Sequence, residues 1–147
     1  MTLAPHSAFC DSSVLVAALD TGHPHFQPCI DLLGSLQQGK AYCALHSYAE
    51  AYAVLSGKPG RPRLRPIDVD AMVERLDRVF TPVALTRREF RDVIRTSATA
   101  GVSGGRLYDA LILECAIKSG AQAIYTLNDR DFLALAPPDV RSRIRRP

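Results

Sequence analysis

Short apolar strand candidates alternate with helical segments from residue 8 onward, and that alternation constrains the fold more than any other feature of the chain. "AFC" at 8–10 reads as a strand, and "SSVLVAAL" begins a helix directly after it. "HFQPCIDLLGSLQQG" reads as a second helix ending near Gly39, and "AYCAL" as a short strand. "HSYAEAYAVLSG" reads as a helix that stops at Gly57, before the Pro- and Arg-rich loop "KPGRPRLRP". "DVDAMVERLDRVF" has helical spacing in Val69, Met72, Val73, Leu76, Val79 and Phe80, with Asp68 placed as its N-cap. "TPVAL" is a strand candidate and "RREFRDVIRTSATAG" another helix. "GGRLYDALILECAIKSGAQAIYTLNDRDF" then supplies a helix, a strand and a last short helical turn. Strands that each hand over to a helix imply an α/β fold with a parallel sheet covered on both faces. The 147 residues show no internal repeat or low-complexity segment, so a single domain over 1–147 is expected.

Composition narrows the class. Hydrophobic residues at 47% and charged residues at 22% fit an ordinary globular chain, and no apolar run approaches the ~18 residues of a membrane span. The start, "MTLAPHSAFCDSSVLVAAL", lacks a positively charged first segment and a small-residue cleavage site, so no signal peptide and a cytoplasmic location are expected. Cys10, Cys29, Cys43 and Cys115 form no CxxC pair and no zinc spacing, which predicts reduced thiols in the core. The net charge of +3 hides a bias: 15 of the 18 basic residues are Arg, clustered in "RPRLR" (61–65), "RR" (87–88) and "RSRIRR" (141–146). Guanidinium forks bind phosphate oxygens in pairs, so these clusters suit a nucleic-acid partner, although a solvated basic surface explains the charge as well.

The acidic residues carry more information. In an open parallel sheet the carboxyl ends of the strands and the starts of the following helices share one edge, where ligands bind. Asp11 follows "AFC", Glu50 lies in the first turn after "AYCAL", Asp109 opens its helix, and Asp129 and Asp131 follow "AIYTL". Each has a plain structural reading. "SYAE" is a capping box in which Ser47 caps the helix and Glu50 reaches back to its amide. Asp11 can cap the helix at Ser12, Asn128 or Asp129 the last one, and Asp109 can complement a helix dipole. None of these explains why acids from distant parts of the chain fall so regularly after strands. Two carboxylates ~5 Å apart repel by roughly 3 kcal/mol at an effective dielectric of 20, a cost that a divalent cation removes.

Ligand chemistry then selects the cation. No His or Cys accompanies these acids at zinc spacing, and "HPH" at 23–25 reads as an isolated loop. Oxygen donors favour Mg²⁺, with Mn²⁺ as a substitute, and such ions take one or two carboxylates and keep several waters. Beside Arg-rich loops, that chemistry suits phosphate ester hydrolysis by an activated water without a covalent nucleophile. Two other classes fit less well. A haloacid-dehalogenase-type phosphatase needs a second acid two residues after the first-strand Asp, where this chain has Ser13. A P-loop NTPase needs GxxxxGK[ST], and "GVSGGR" is too short and lacks the Lys.

"FCDSSVLVAAL", "HSYAEAYAVL", "GGRLYDALILECA" and "IYTLNDRDF", in this order and over essentially the whole chain, resemble a PIN-domain ribonuclease, and within that group the VapC-type toxins of bacterial toxin–antitoxin pairs. The resemblance implies a three-layer α/β/α sandwich with a central parallel sheet, Mg²⁺-dependent endonucleolytic cleavage of RNA, a homodimer and a small cognate antitoxin that occludes the acidic cleft. It carries Asp11 and Asp109 over as the metal ligands and Glu50 as the acid acting on water. In the frame Thr-x-Asn-x-x-Asp-Phe it favours Asp131 as the fourth acid, with Asn128 as a hydrogen-bonding neighbour and Asp129 as the substitute. Ser13 matches a small hydroxyl residue that supports the first aspartate, and Ser12 is expected to be a helix cap. An inhibitor helix is expected near Ala51, Leu55 and the helix starting at His25, with a basic side chain entering the cleft. The alternatives that keep the fold are a PIN nuclease that is not a toxin and a catalytically inactive PIN-like RNA-binding module.

Overall fold

The computed structural model describes residues 6–59 and 63–147; Arg61 and Pro62 of the "RPRLR" cluster and the first five residues lie outside the described residues. Among the described residues five strands form one all-parallel sheet in the order β3-β2-β1-β4-β5. They are β1 (Ala8–Cys10), β2 (Ala41–Ala44), β3 (Thr81–Val83), β4 (Ala123–Tyr125) and β5 (Ile144–Arg145). Among the described residues eight α-helices connect or follow them: α1 (Ser12–Leu19), α2 (Phe26–Ser35), α3 (Leu45–Gly57), α4 (Pro66–Glu74), α5 (Arg87–Thr99), α6 (Arg106–Ser119), α7 (Asp129–Leu135) and α8 (Pro138–Arg141).

The central strand is apolar on both sides because both sides are covered. Phe9 packs with Ile112, Ala116, Ile124 and Phe132 under α6 and α7. Cys10, one residue on, points the other way and packs with Val14, Leu15, Cys29 and Leu33 of α1 and α2. β2 alternates likewise, Ala41 and Cys43 joining the second cluster and Ala44 the first. The result is the α/β/α sandwich expected from the alternation. Pro82 is accommodated because β3 is an edge strand with exposed residues. All four cysteines are free and buried, and burial pushes the Cys43 thiol up to about 12 and that of Cys115 up to about 11.

Several boundaries differ from the sequence reading. α2 ends at Ser35 rather than near Gly39; Gly39 has φ 77°, a turn conformation that glycine adopts without strain and that leads into β2. α3 starts at Leu45, directly after β2, with Ala44 at its N-cap and no side-chain cap. The expected capping box at "SYAE" therefore does not form: Ser47 is inside the helix, and Glu50 sits beyond the first turn. α4 begins at Pro66, which needs no amide partner at a helix start, so Asp68 lies within the first turn rather than at the cap. A 3₁₀ turn at Arg75–Arg78 breaks the helix expected to reach Phe80. α5 carries a capping box that the sequence reading passed over, with Thr86 and Glu89 exchanging hydrogen bonds. The basic tail "RSRIRR" contributes the edge strand β5. Ala51 and Leu55 are fully buried, so they cannot form the partner surface expected of them; Leu45, Tyr52 and Val54 are the exposed large apolar residues of α3.

Candidate active site

Asp11 follows β1 and caps α1, and the buried edge of the sheet fixes it on every side. Its Oδ1 accepts from the Ser12 amide at 2.7 Å. Its Oδ2 accepts from the hydroxyls of Ser13 at 2.7 Å and Thr126 at 2.9 Å. Those two hydroxyls in turn accept from the amides of Leu127 and Asn128, which clamps the loop after β4 onto the first strand. Only 2% of Asp11 is exposed. Burial pushes its carboxyl above the usual range, while the bonds from Ser13, Thr126 and the Ser12 and Ser13 amides pull the other way. The geometry places Ser13 against Asp11, as the resemblance implied. Ser12 is not the cap: it is the first helical residue, and its hydroxyl donates to that of Ser47 at 2.7 Å. That buried bond ties α1 to α3 and explains why Ser47 is unavailable for capping.

Asp109 stands in the first turn of α6 and is pushed up to about 6. Burial is the largest cause, followed by repulsion from Asp11, Asp131 and Glu50, with Arg106 offsetting part of it. Like charges therefore meet here from four separate segments. Asp11, Glu50, Asp109 and Asn128 line one open cleft of about 450 Å³. Glu50 pairs with His46 one turn earlier at 3.0 Å, and the His46 ring lies parallel to Tyr108 with centroids 5.6 Å apart.

The loop after β4 divides the remaining acids. Asp131 acts on Asp109 electrostatically but does not line the cleft. Asp129 accepts from Arg146 Nη1 at 2.7 Å, and the guanidinium holds its carboxyl below the usual range. Among the described residues no three His, Cys, Asp or Glu side chains stand close enough to grip one ion. The donor set, carboxylates and hydroxyls with unrelieved repulsion at Asp109, fits a hard divalent cation held by two carboxylates and water rather than by a three-carboxylate cage.

Sequence reasoning missed four residues around the cleft. Thr126 was visible as the first position of the "TLNDRDF" frame, but its bond to Asp11 needs the β1–β4 pairing. His23 and His25, read as a remote loop, line the cleft. Arg146 also lines it, delivered by a strand with a single apolar residue.

Comparison with known proteins agrees with this architecture. The PIN domain family profile matches residues 8–137. Ribonuclease VapC40 of Mycobacterium tuberculosis is 30% identical over 114 residues, which cover 78% of this chain and 81% of that protein. Ribonuclease VapC27 of the same organism is 32% identical over 77 residues, covering 52% of this chain and 55% of the length of VapC27. The crystal structure of Mycobacterium tuberculosis VapC20, a sarcin-ricin loop cleaving toxin, superposes with a TM-score of 0.68 over 87% of this chain and 95% of that one. At 18% identity, that likeness is one of fold.

Proposed function

The chain belongs to the PIN domain family, and from that premise we propose that it is a metal-dependent endoribonuclease, the toxin of a toxin–antitoxin pair related to the VapC ribonucleases. The observation that carries the reading is the meeting of Asp11, Glu50 and Asp109 in one open cleft, with Asp109 pushed up by its acidic neighbours. Among the described residues no helix is long and apolar enough to cross a membrane. The proposal is a single-domain, cytoplasmic protein that acts as a homodimer.

Asp11 and Asp109 would hold Mg²⁺, or Mn²⁺ in its place. Bound there, the ion supplies charge neutralisation for the phosphoryl oxygens and lowers the pKa of water. Asp11 contributes rigidity, since three hydrogen bonds leave its carboxylate one orientation. Glu50, about one-third exposed to solvent at the cleft wall and steadied by His46, orients the attacking water and takes its proton. Asp131 adds negative potential behind Asp109, whereas Asp129 is committed to Arg146. Asn128 remains a hydrogen-bonding group in the cleft. The phosphodiester bond breaks by direct attack of water, with no covalent enzyme intermediate.

An uncovered nuclease cleft harms the cell that makes it, so a small antitoxin is part of the proposal. A basic side chain from that partner would replace the cation's charge among the acids. Two measurements test the reading together. The purified chain should cleave RNA in Mg²⁺ and stop in EDTA, and its expression alone should arrest growth until the small protein encoded beside it is co-expressed. Cleavage that survives chelation would sink the metal assignment; a wild-type chain that is harmless at high level would sink the toxin.

A further inference from the structure

An acidic cleft that takes a polyanion needs a cation of its own to hold the substrate backbone. Among the described residues that line the cleft, Arg146 is the one arginine or lysine. Its place is set by backbone pairing: β5 runs parallel to β4, with Ile144 opposite Ile124 and Arg145 opposite Tyr125. The Thr126 amide donates to the Arg145 carbonyl at 3.0 Å. The ladder that presents the Thr126 hydroxyl to Asp11 thus also presents Arg146 to the same edge. Its Nη1 donates to the Leu127 carbonyl at 2.9 Å and to Asp129 at 2.7 Å. Among the described residues Nε and Nη2 carry no bond, and about half of the side chain is open to solvent. A guanidinium fixed through one nitrogen, with its other donors free, is prepared to bind an oxyanion.

We infer that Arg146 binds a backbone phosphate of the RNA strand at the acidic cleft, and that Asp129 orients it for this. The inference rests on the ribonuclease reading above. The residue lies outside the 8–137 stretch that matches the family. It gives a use to the "RSRIRR" segment and a reason for the extra acid Asp129, which is there to hold the arginine rather than a metal.

The test compares wild type, R146Q and R146K with R143Q, a tail arginine that does not line the cleft. kcat and KM for a single-stranded oligoribonucleotide are measured in Mg²⁺ over a range of KCl. Fluorescence anisotropy in Ca²⁺ gives affinity, and thermal unfolding gives Tm. R146Q should raise KM and weaken binding about tenfold, and should flatten the logarithmic salt dependence by about 0.7, the share of one phosphate contact to a single strand. R146K should keep the salt slope and lose part of the affinity, because a point charge replaces the fork. R143Q should match wild type. A lower Tm with an unchanged salt slope would make Arg146 a staple for β5 and overturn the inference, and so would faster cleavage by R146Q. If wild type neither cleaves nor binds RNA, the ribonuclease reading itself has failed, and this inference with it.

Discussion

Two acids occupy equivalent places in successive helices and meet opposite surroundings. Glu89 in the first turn of α5 accepts from the Thr86 amide at 2.6 Å and from Lys118 at 2.7 Å. Lys118 and the capping amide hold its carboxyl below the usual range. Asp109 in the first turn of α6 enjoys the same helix-dipole position, yet burial and three neighbouring acids push it up to about 6. A helix start therefore does not decide the state of its acid; the tertiary neighbours do. Glu89 completes a local structure, whereas Asp109 is held in a state that only a cation or a proton relieves.

Neutralising each acid in turn should separate them most widely in activity. Asp109→Asn should reduce RNA cleavage on the order of 10³-fold or more, because the proposed metal site would lose one of its two carboxylate charges. Glu89→Gln should stay within about twofold of wild type, since capping affects α5 and not the chemistry. Initial rates on one RNA at saturating Mg²⁺ decide it, and equal losses in both variants would erase the distinction.

A smaller effect should appear in stability with metal. Mn²⁺ should raise Tm, with linkage giving about 2.7 kcal/mol at a hundredfold excess over Kd, or several degrees for a chain of this size. Glu89→Gln should respond like wild type, and the Asp11→Asn/Asp109→Asn double variant should not respond. A Tm shift of the same size in the double variant would place the ion elsewhere.

The smallest difference lies in pH without metal, and its sign is opposite for the two acids. Asp109 has a folded value of about 6 against 3.8 unfolded, so the folded state binds more protons between them and loses stability as pH rises through that window. Glu89 is lowered from 4.5, so its contribution is present above that value and lost as pH falls through the folded one. In EDTA, the Tm advantage of Asp109→Asn over wild type should grow from pH 4 to 7. Any disadvantage of Glu89→Gln should shrink as pH falls below 4.5. A pH-independent advantage for Asp109→Asn would show that its charge is not the source.

What could be read from the sequence was what repetition and topology encode. The inner strands β1, β2 and β4 announce themselves because cover on both faces leaves them apolar, and parallel order puts the acids at their ends on one edge. Positions that depend on pairing at a distance did not announce themselves. β5 is held by backbone bonds to β4, so "RSRIRR" reads only as charge. Ser47 looks like a cap until its bond to Ser12, 35 residues away, takes it out of local competition. Helical spacing put Ala51 and Leu55 on one face of α3 but could not say that this face is the core. The choice between Asp129 and Asp131 likewise turns on Arg146, which no local motif connects to either.

The central position of β1 has a consequence in time. Among the described residues it is the first strand synthesised, yet its partner β4 lies 115 residues downstream, as does the Thr126 hydroxyl that bonds Asp11. At 5–20 residues per second, translation takes roughly 6–23 s to travel from one to the other. During that interval Asp11 has neither its clamp nor Asp109 opposite it in a folded cleft. By topology, the acidic cleft cannot form until the segments that carry Asp109 and Thr126 have left the ribosome.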